Sequence, residues 1–141
     1  MFGVTDMSTV YEGQLDKAQR GAAIVDGQYV VVRDELKTGA KKAKVRWQVL
    51  TGTDVTITGK NSATLTKDGK QLTLTVDEPA GITLTTWSSQ PTTDYDAPNP
   101  GTILIGFETD LPANASSVFQ VKLIPGTSAS VATFSKSLDN W

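Results

Sequence analysis

The chain contains neither cysteine nor histidine. Without cysteine there is no disulfide framework and no thiolate metal site, and the redox compartment is left open. Histidine is the usual general base and the commonest metal ligand near neutral pH. Its absence, with that of cysteine, largely excludes Ser-His-Asp and Cys-His catalysis, zinc sites and haem ligation. Carboxylates, lysines and tyrosines remain as acids and bases, which lowers the odds of catalysis without forbidding it. No cofactor is expected. No apolar run approaches the roughly 18 residues that span a bilayer, so no membrane span is expected. A net charge of −2 gives no global pull toward nucleic acid. The opening Met1-Phe2-Gly3-Val4 has no basic flank, and Asp6 and Ser8 interrupt any apolar run, so no signal peptide is expected. That abrupt, strand-like start is the kind expected of a piece of a longer protein, with Met1 added at the cut.

What is present is alternation. The chain has 141 residues, one domain over 1–141 by size and enough to bury a core without staples. Its organising stretch is 29–49, YVVVRDELKTGAKKAKVRWQV. In its second half Val45, Trp47 and Val49 alternate with Lys44, Arg46 and Gln48, the period of a half-buried strand. The first half is a β-branched run that suits a strand covered on both faces. The lysine-rich link with Gly39 reads as a turn, and the pair reads as the central hairpin of a sandwich.

The rest keeps that cadence. Residues 4–11 form a strand of poor alternation, and 12–20 has too few apolar anchors for a helix and reads as a loop into a strand at 18–25. Asp26-Gly27 and Asp68-Gly69 are type I′ hairpin signals. Val55 and Ile57 point inward from 54–58; Leu65 anchors 63–66; Leu72, Leu74 and Val76 share one face of 71–76. Asp77–Gly81 (DEPAG) breaks the run, and 82–87 resumes it with Ile82 and Leu84. Residues 88–101, with Pro91, Pro98 and Pro100, can hold no strand, and long loops on sandwiches often carry function. The runs 102–107 and 118–124 are rich enough in apolar residues to be central strands. Leu138 and Trp141 are expected to dock the tail on the body. The fold class is all-β: a two-sheet antiparallel β-sandwich of roughly nine or ten strands.

Each candidate site has an ordinary reading beside it. Lys37, Lys41, Lys42, Lys44 and Arg46 form a basic cluster that suits sulfated or carboxylated glycans; lysine-rich turns also serve only solubility. Trp47, Trp87, Trp141 and Tyr95 are candidates for a sugar-stacking platform. Trp47 alternates with core valines and belongs inside, whereas Trp87 ends a strand and Tyr95 lies in the long loop. Asp94, Asp96 and Asn99 offer three oxygens to calcium, a partial set, against Asx-turn capping. Asp34 and Glu35 look like paired carboxylates, but strand neighbours face opposite ways and cannot flank one bond. Asn114-Ala115-Ser116 matches a glycosylation sequon.

Beyond these patterns, the chain resembles the C-terminal β-sandwich domain of heparinase II/III-like polysaccharide lyases. The likeness lies in RGAAIVDGQYVVVRDELK (20–37), KVRWQVLTG (44–52), DYDAPNPGTILIGFE (94–108), VKLIP (121–125) and the closing LDNW. The resemblance implies an N-terminal α/α-toroid catalytic domain as partner, β-elimination of uronic-acid-containing glycans in the parent, and a periplasmic or secreted location. Family members often carry a His three residues after the strand tryptophan, in a W-x-x-H pattern, and here that position is Leu50. No catalytic residue carries over. The chain is therefore expected to be non-catalytic alone, with acidic polysaccharide as ligand and Trp87, Tyr95, Lys41, Lys42 and Arg46 as glycan contacts. The alternatives are a stand-alone carbohydrate-binding module and a structural or adhesive sandwich.

Overall fold

The apolar half of each alternating run needs a second layer to cover it, and two sheets supply one another with that cover. A computed structural model describes residues 1–126, 131 and 134–141, so part of the Ser/Thr-rich tail lies outside the described residues. The strands are β1 (Phe2–Asp6), β2 (Leu15–Val25), β3 (Tyr29–Thr38), β4 (Ala43–Thr51), β5 (Asp54–Gly59), β6 (Ser62–Lys67), β7 (Lys70–Glu78), β8 (Thr85–Ser88), β9 (Ile103–Leu111) and β10 (Ser116–Pro125). A seven-stranded sheet has the order β1-β2-β3-β10-β7-β6-β5, and a three-stranded sheet the order β4-β9-β8. All pairings are antiparallel. The all-β sandwich is as the sequence predicts, and the two runs rich in Ile, Leu, Val and Phe, β9 and β10, are indeed interior strands of their sheets.

Four local readings need correction. The 29–49 stretch is not a hairpin: β3 pairs with β2 and β10, and β4 pairs with β9. Residues 39–42 carry the chain from one sheet to the other. A lysine-rich, glycine-containing link suits a crossover as well as a turn, and alternation reveals a strand's faces but not its neighbours. Ile57 is exposed rather than inward, because β5 is an edge strand with a break in register between Ile57 and Gly59. The first strand runs over Phe2–Asp6 instead of 4–11, and turns occupy 8–14. Ile82 and Leu84 are buried as expected but precede β8. The two hairpin signals hold: Asp26 and Gly27 have φ of 50° and 68°, and Asp68 and Gly69 of 50° and 72°.

The main core lies between the sheets and is centred on three rings. Trp47 of β4 stacks on Phe107 of β9, with centroids 5.9 Å apart, and Phe107 meets Phe119 of β10 edge-on at 5.3 Å. Such pairs contribute about 0.5–1.5 kcal/mol each beyond area burial. Gly106 lies where β9 crosses close to β4, and a Cβ there would run into the Trp47 carbonyl. A second, smaller core sits on the opposite face of the large sheet, where Tyr29, Val31 and Ile124 meet Phe134 and Trp141 of the tail. Leu138 is buried and Trp141 half-buried, so the tail docks as expected.

Candidate functional site

Strand β4 presents Lys44 and Arg46 on the outer face of the small sheet because Val45 and Trp47 point inward. Arg46 lies directly across from Glu108 on β9. Its Nε donates to Glu108 Oε1 at 2.7 Å, and the Lys44 ammonium lies 2.8 Å from Oε2 of the same carboxylate. Those two cations, Lys44 first, hold the Glu108 carboxyl below its ordinary range. In return, the hydrogen bond to Glu108 raises the Lys44 ammonium. The Arg46 guanidinium carbon also sits 4.5 Å above the centre of the Trp87 ring on β8, a cation–π contact spanning the small sheet. Arg46 and Trp87 are thus brought together. One cation covers the tryptophan while its N–H groups engage a carboxylate. An open groove of about 420 Å³ runs beside them, lined by Thr83, Thr85, Trp87, Glu108 and Thr109 among others. It offers hydroxyls, a carboxylate and an aromatic ring, the mixture that suits a polyhydroxylated ligand.

The other predicted contacts lie apart from this cluster. Tyr95 is 87% exposed in the long loop. Lys41 and Lys42 stand exposed on the sheet-to-sheet crossover. Among the described residues no hydrogen bond, ion pair or ring contact joins these three side chains to Trp87. The loop is tied to itself: Asn99 Nδ2 donates to the Ser89 carbonyl at 2.9 Å, and the Thr93 hydroxyl donates to Asp96 Oδ2 at 2.6 Å. The first ties the two ends of the loop together, and the second closes a local turn. No group of three or more His, Cys, Asp or Glu placed to hold a metal occurs among the described residues. Asn114 of the sequon is exposed in a left-handed turn with φ 53°.

Asp34 and Glu35 do face opposite ways. Asp34 points between the sheets and takes a two-pronged bond from Arg20, at 2.6 and 2.7 Å, in a cavity of about 150 Å³ that Tyr11 also lines. That hydrogen bond raises the Arg20 guanidinium further above its already high value. Glu35 lies under the tail, where it accepts from Arg33 Nε at 3.1 Å and from the Leu138 N–H at 3.0 Å. Burial opposes its ionisation, but the Leu138 N–H and Arg33 outweigh it and hold the carboxyl below its usual range. Arg33 also donates to Gln120 at 2.9 Å, Gln120 donates to the Phe134 carbonyl at 2.7 Å, and Lys122 pairs with Asp77 at 3.2 Å. Sequence reasoning missed this buried network. Its one visible trace was the polar residues Gln120 and Lys122 inside an otherwise apolar run.

No family model matches the sequence, and no curated protein sequence does either. Solved structures do. A structure of heparinase III, the BT4657 gene product, superposes with a TM-score of 0.68 at 17% identity, over 89% of this chain and 19% of that one. The heparan sulfate lyase HepC from Pedobacter heparinus superposes with a TM-score of 0.62 at 19% identity, over 82% of this chain and 19% of that one. The fold is therefore one found within heparinase structures, and this chain spans about a fifth of their length.

Proposed function

We propose that this chain is the C-terminal β-sandwich domain of a heparinase II/III-like polysaccharide lyase and does not itself break bonds. It supports an N-terminal α/α-toroid and forms one wall of the cleft in which that toroid cleaves a uronic-acid-containing glycan by β-elimination. The observation that carries this reading is the superposition over 89% of the chain on a fifth of a heparinase III structure. The residue inventory supports it: abstracting a proton next to a carboxylate calls for a base poised near neutrality, and the chain has no histidine to supply one. One of its tyrosines is poorly placed to substitute. Tyr29 is buried, and burial raises its hydroxyl above the ordinary range. A parent of this kind works on extracellular or periplasmic glycan. The test is the ultraviolet absorbance of the unsaturated uronate product. The chain alone is expected to give none with acidic polysaccharides, and turnover by the isolated chain overturns the role.

A stand-alone carbohydrate-binding module is the second reading, favoured by the Arg46–Trp87 pair and the groove beside it. In both readings the contacts are Trp87 and Arg46, with Lys41, Lys42 and Tyr95 as outlying contacts to a long chain. Calorimetric titration with an acidic polysaccharide tests the contacts. Binding lost in Trp87→Ala and in Tyr95→Ala supports them, and full binding by both variants rejects them.

A further inference from the structure

Polar atoms sealed inside a folded protein ordinarily have a hydrogen-bond partner, so each exception needs a physical reason. Trp47 Nε1 is such an exception. It is buried, it has no partner among the described residues, and its side chain belongs to a residue only 5% exposed. An indole nitrogen donates and cannot accept. Trp47 also lines the cavity of about 150 Å³ between β2, β3 and β4, where Arg20 grips Asp34.

The walls of this cavity divide by chemistry. Leu15, Leu36, Val45 and Phe119 give it an apolar lining. Tyr11 and Arg20 stand where it meets solvent, with 41% of Tyr11 and 40% of the Arg20 side chain exposed. Arg20 uses Nε and Nη2 on Asp34, and no bond among the described residues occupies its Nη1. Three cations border the cavity (Arg20, Lys44 and Arg46) and two carboxylates pair with them (Asp34 and Glu108), so one positive charge is left over. Free donors on Arg20 and Trp47 suit a negatively charged acceptor, and an ionised carboxylate is acceptor-only. The apolar lining suits a body without hydroxyls, because a sugar hydroxyl turned toward Leu15 or Phe119 would lose water and find no partner. Volume sets the size, since a cavity of this order holds one six-membered ring.

We propose that the cavity between β2, β3 and β4 binds a small apolar carboxylate of one-ring size. Arg20 and the Trp47 N–H serve its oxygens, and Leu15, Leu36, Val45 and Phe119 surround its body. The site is separate from the groove beside Trp87, and the inference stands whether or not that groove binds glycan.

Benzoate is the probe. In a nitrogen–proton correlation spectrum the three tryptophans give three indole signals. Benzoate is expected to move the Trp47 signal saturably while those of Trp87 and Trp141 stay in place. Trp47→Phe keeps an aromatic ring and removes the donor. It is expected to weaken binding about tenfold, followed on the amides of β2 and β3. Ala18→Leu adds bulk to the buried β2 wall of the cavity and is expected to abolish binding. It replaces the first variant if Trp47→Phe unfolds by circular dichroism, and the indole titration of the unmodified chain needs neither. No saturable shift of the Trp47 signal overturns the proposal and leaves the indole to a water. So does an equal response to benzyl alcohol, which would mean that charge is not read. So does tighter binding of glucuronate than of benzoate, which would give the cavity to a sugar.

Discussion

The outer faces of the two sheets carry similar side chains and use them in opposite ways. On the small sheet, Lys44, Arg46 and Glu108 form an ion-pair cluster at the surface, with Arg46 over Trp87 and a groove alongside. On the large sheet, Arg33, Glu35, Gln120, Lys122 and Asp77 form a comparable cluster with the tail laid over part of it. A solvated ion pair gains little, because water and salt screen it and long side chains must be held still. A buried one gains little against apolar replacements, yet losing one partner strands the other in a medium that cannot solvate it. The first arrangement keeps its charges accessible to a ligand. The second holds the tail in place, and its polar atoms are spent on the fold.

That contrast predicts a graded series. Arg33→Ala leaves Glu35 and Gln120 short of a partner under the tail and is expected to cost about 3–5 kcal/mol in denaturant unfolding. A cost near zero would place this network with the surface pairs. Leu138→Ala, which empties the tail's buried anchor, is expected to cost about 2–3 kcal/mol, at the low end for such truncations because the site lies near a terminus. Hydrogen exchange should then rise in β2 and β3 beneath the tail while the core between the sheets stays protected.

Glu35 gives the contrast a pH signature. Its carboxyl is held low in the folded protein, so its contribution is present above the unfolded value of about 4.3 and is lost as pH falls through the lower folded value. Glu35→Gln is expected to flatten the acid limb of stability, measured by thermal melts below about pH 4.3. An unchanged acid limb would mean that Glu35 is not held by the tail. Smallest is Arg46→Ala, expected to change stability by less than about 1 kcal/mol because the pair is exposed. It should still alter Trp87 fluorescence by removing the cation from the ring.

What could be read from the sequence follows the range of the interactions. Val45, Trp47 and Val49, and the Asp26-Gly27 and Asp68-Gly69 turns, are local signals, and strand existence and sandwich class follow from them. Whether β3 and β4 are hairpin partners is decided by contacts with β10 and β9, far along the chain, which alternation does not encode. Ile57 eludes it for the same reason, since alternation gives no sign that β5 lies at a sheet edge and breaks register after Ile57. At the candidate site, Trp87 and Arg46 were legible as residue types. Their approach across β9, and the sharing of Glu108 between Lys44 and Arg46, depend on register and were not.

Amide chemical-shift mapping during titration with an acidic polysaccharide tests the division of labour between the two faces directly. The account predicts shifts over β4, β8 and β9 around Arg46, Trp87 and Glu108, with the amides of Arg33, Glu35 and Gln120 unmoved. Shifts centred on the tail-covered network, or none on the small sheet at saturating ligand, would contradict it.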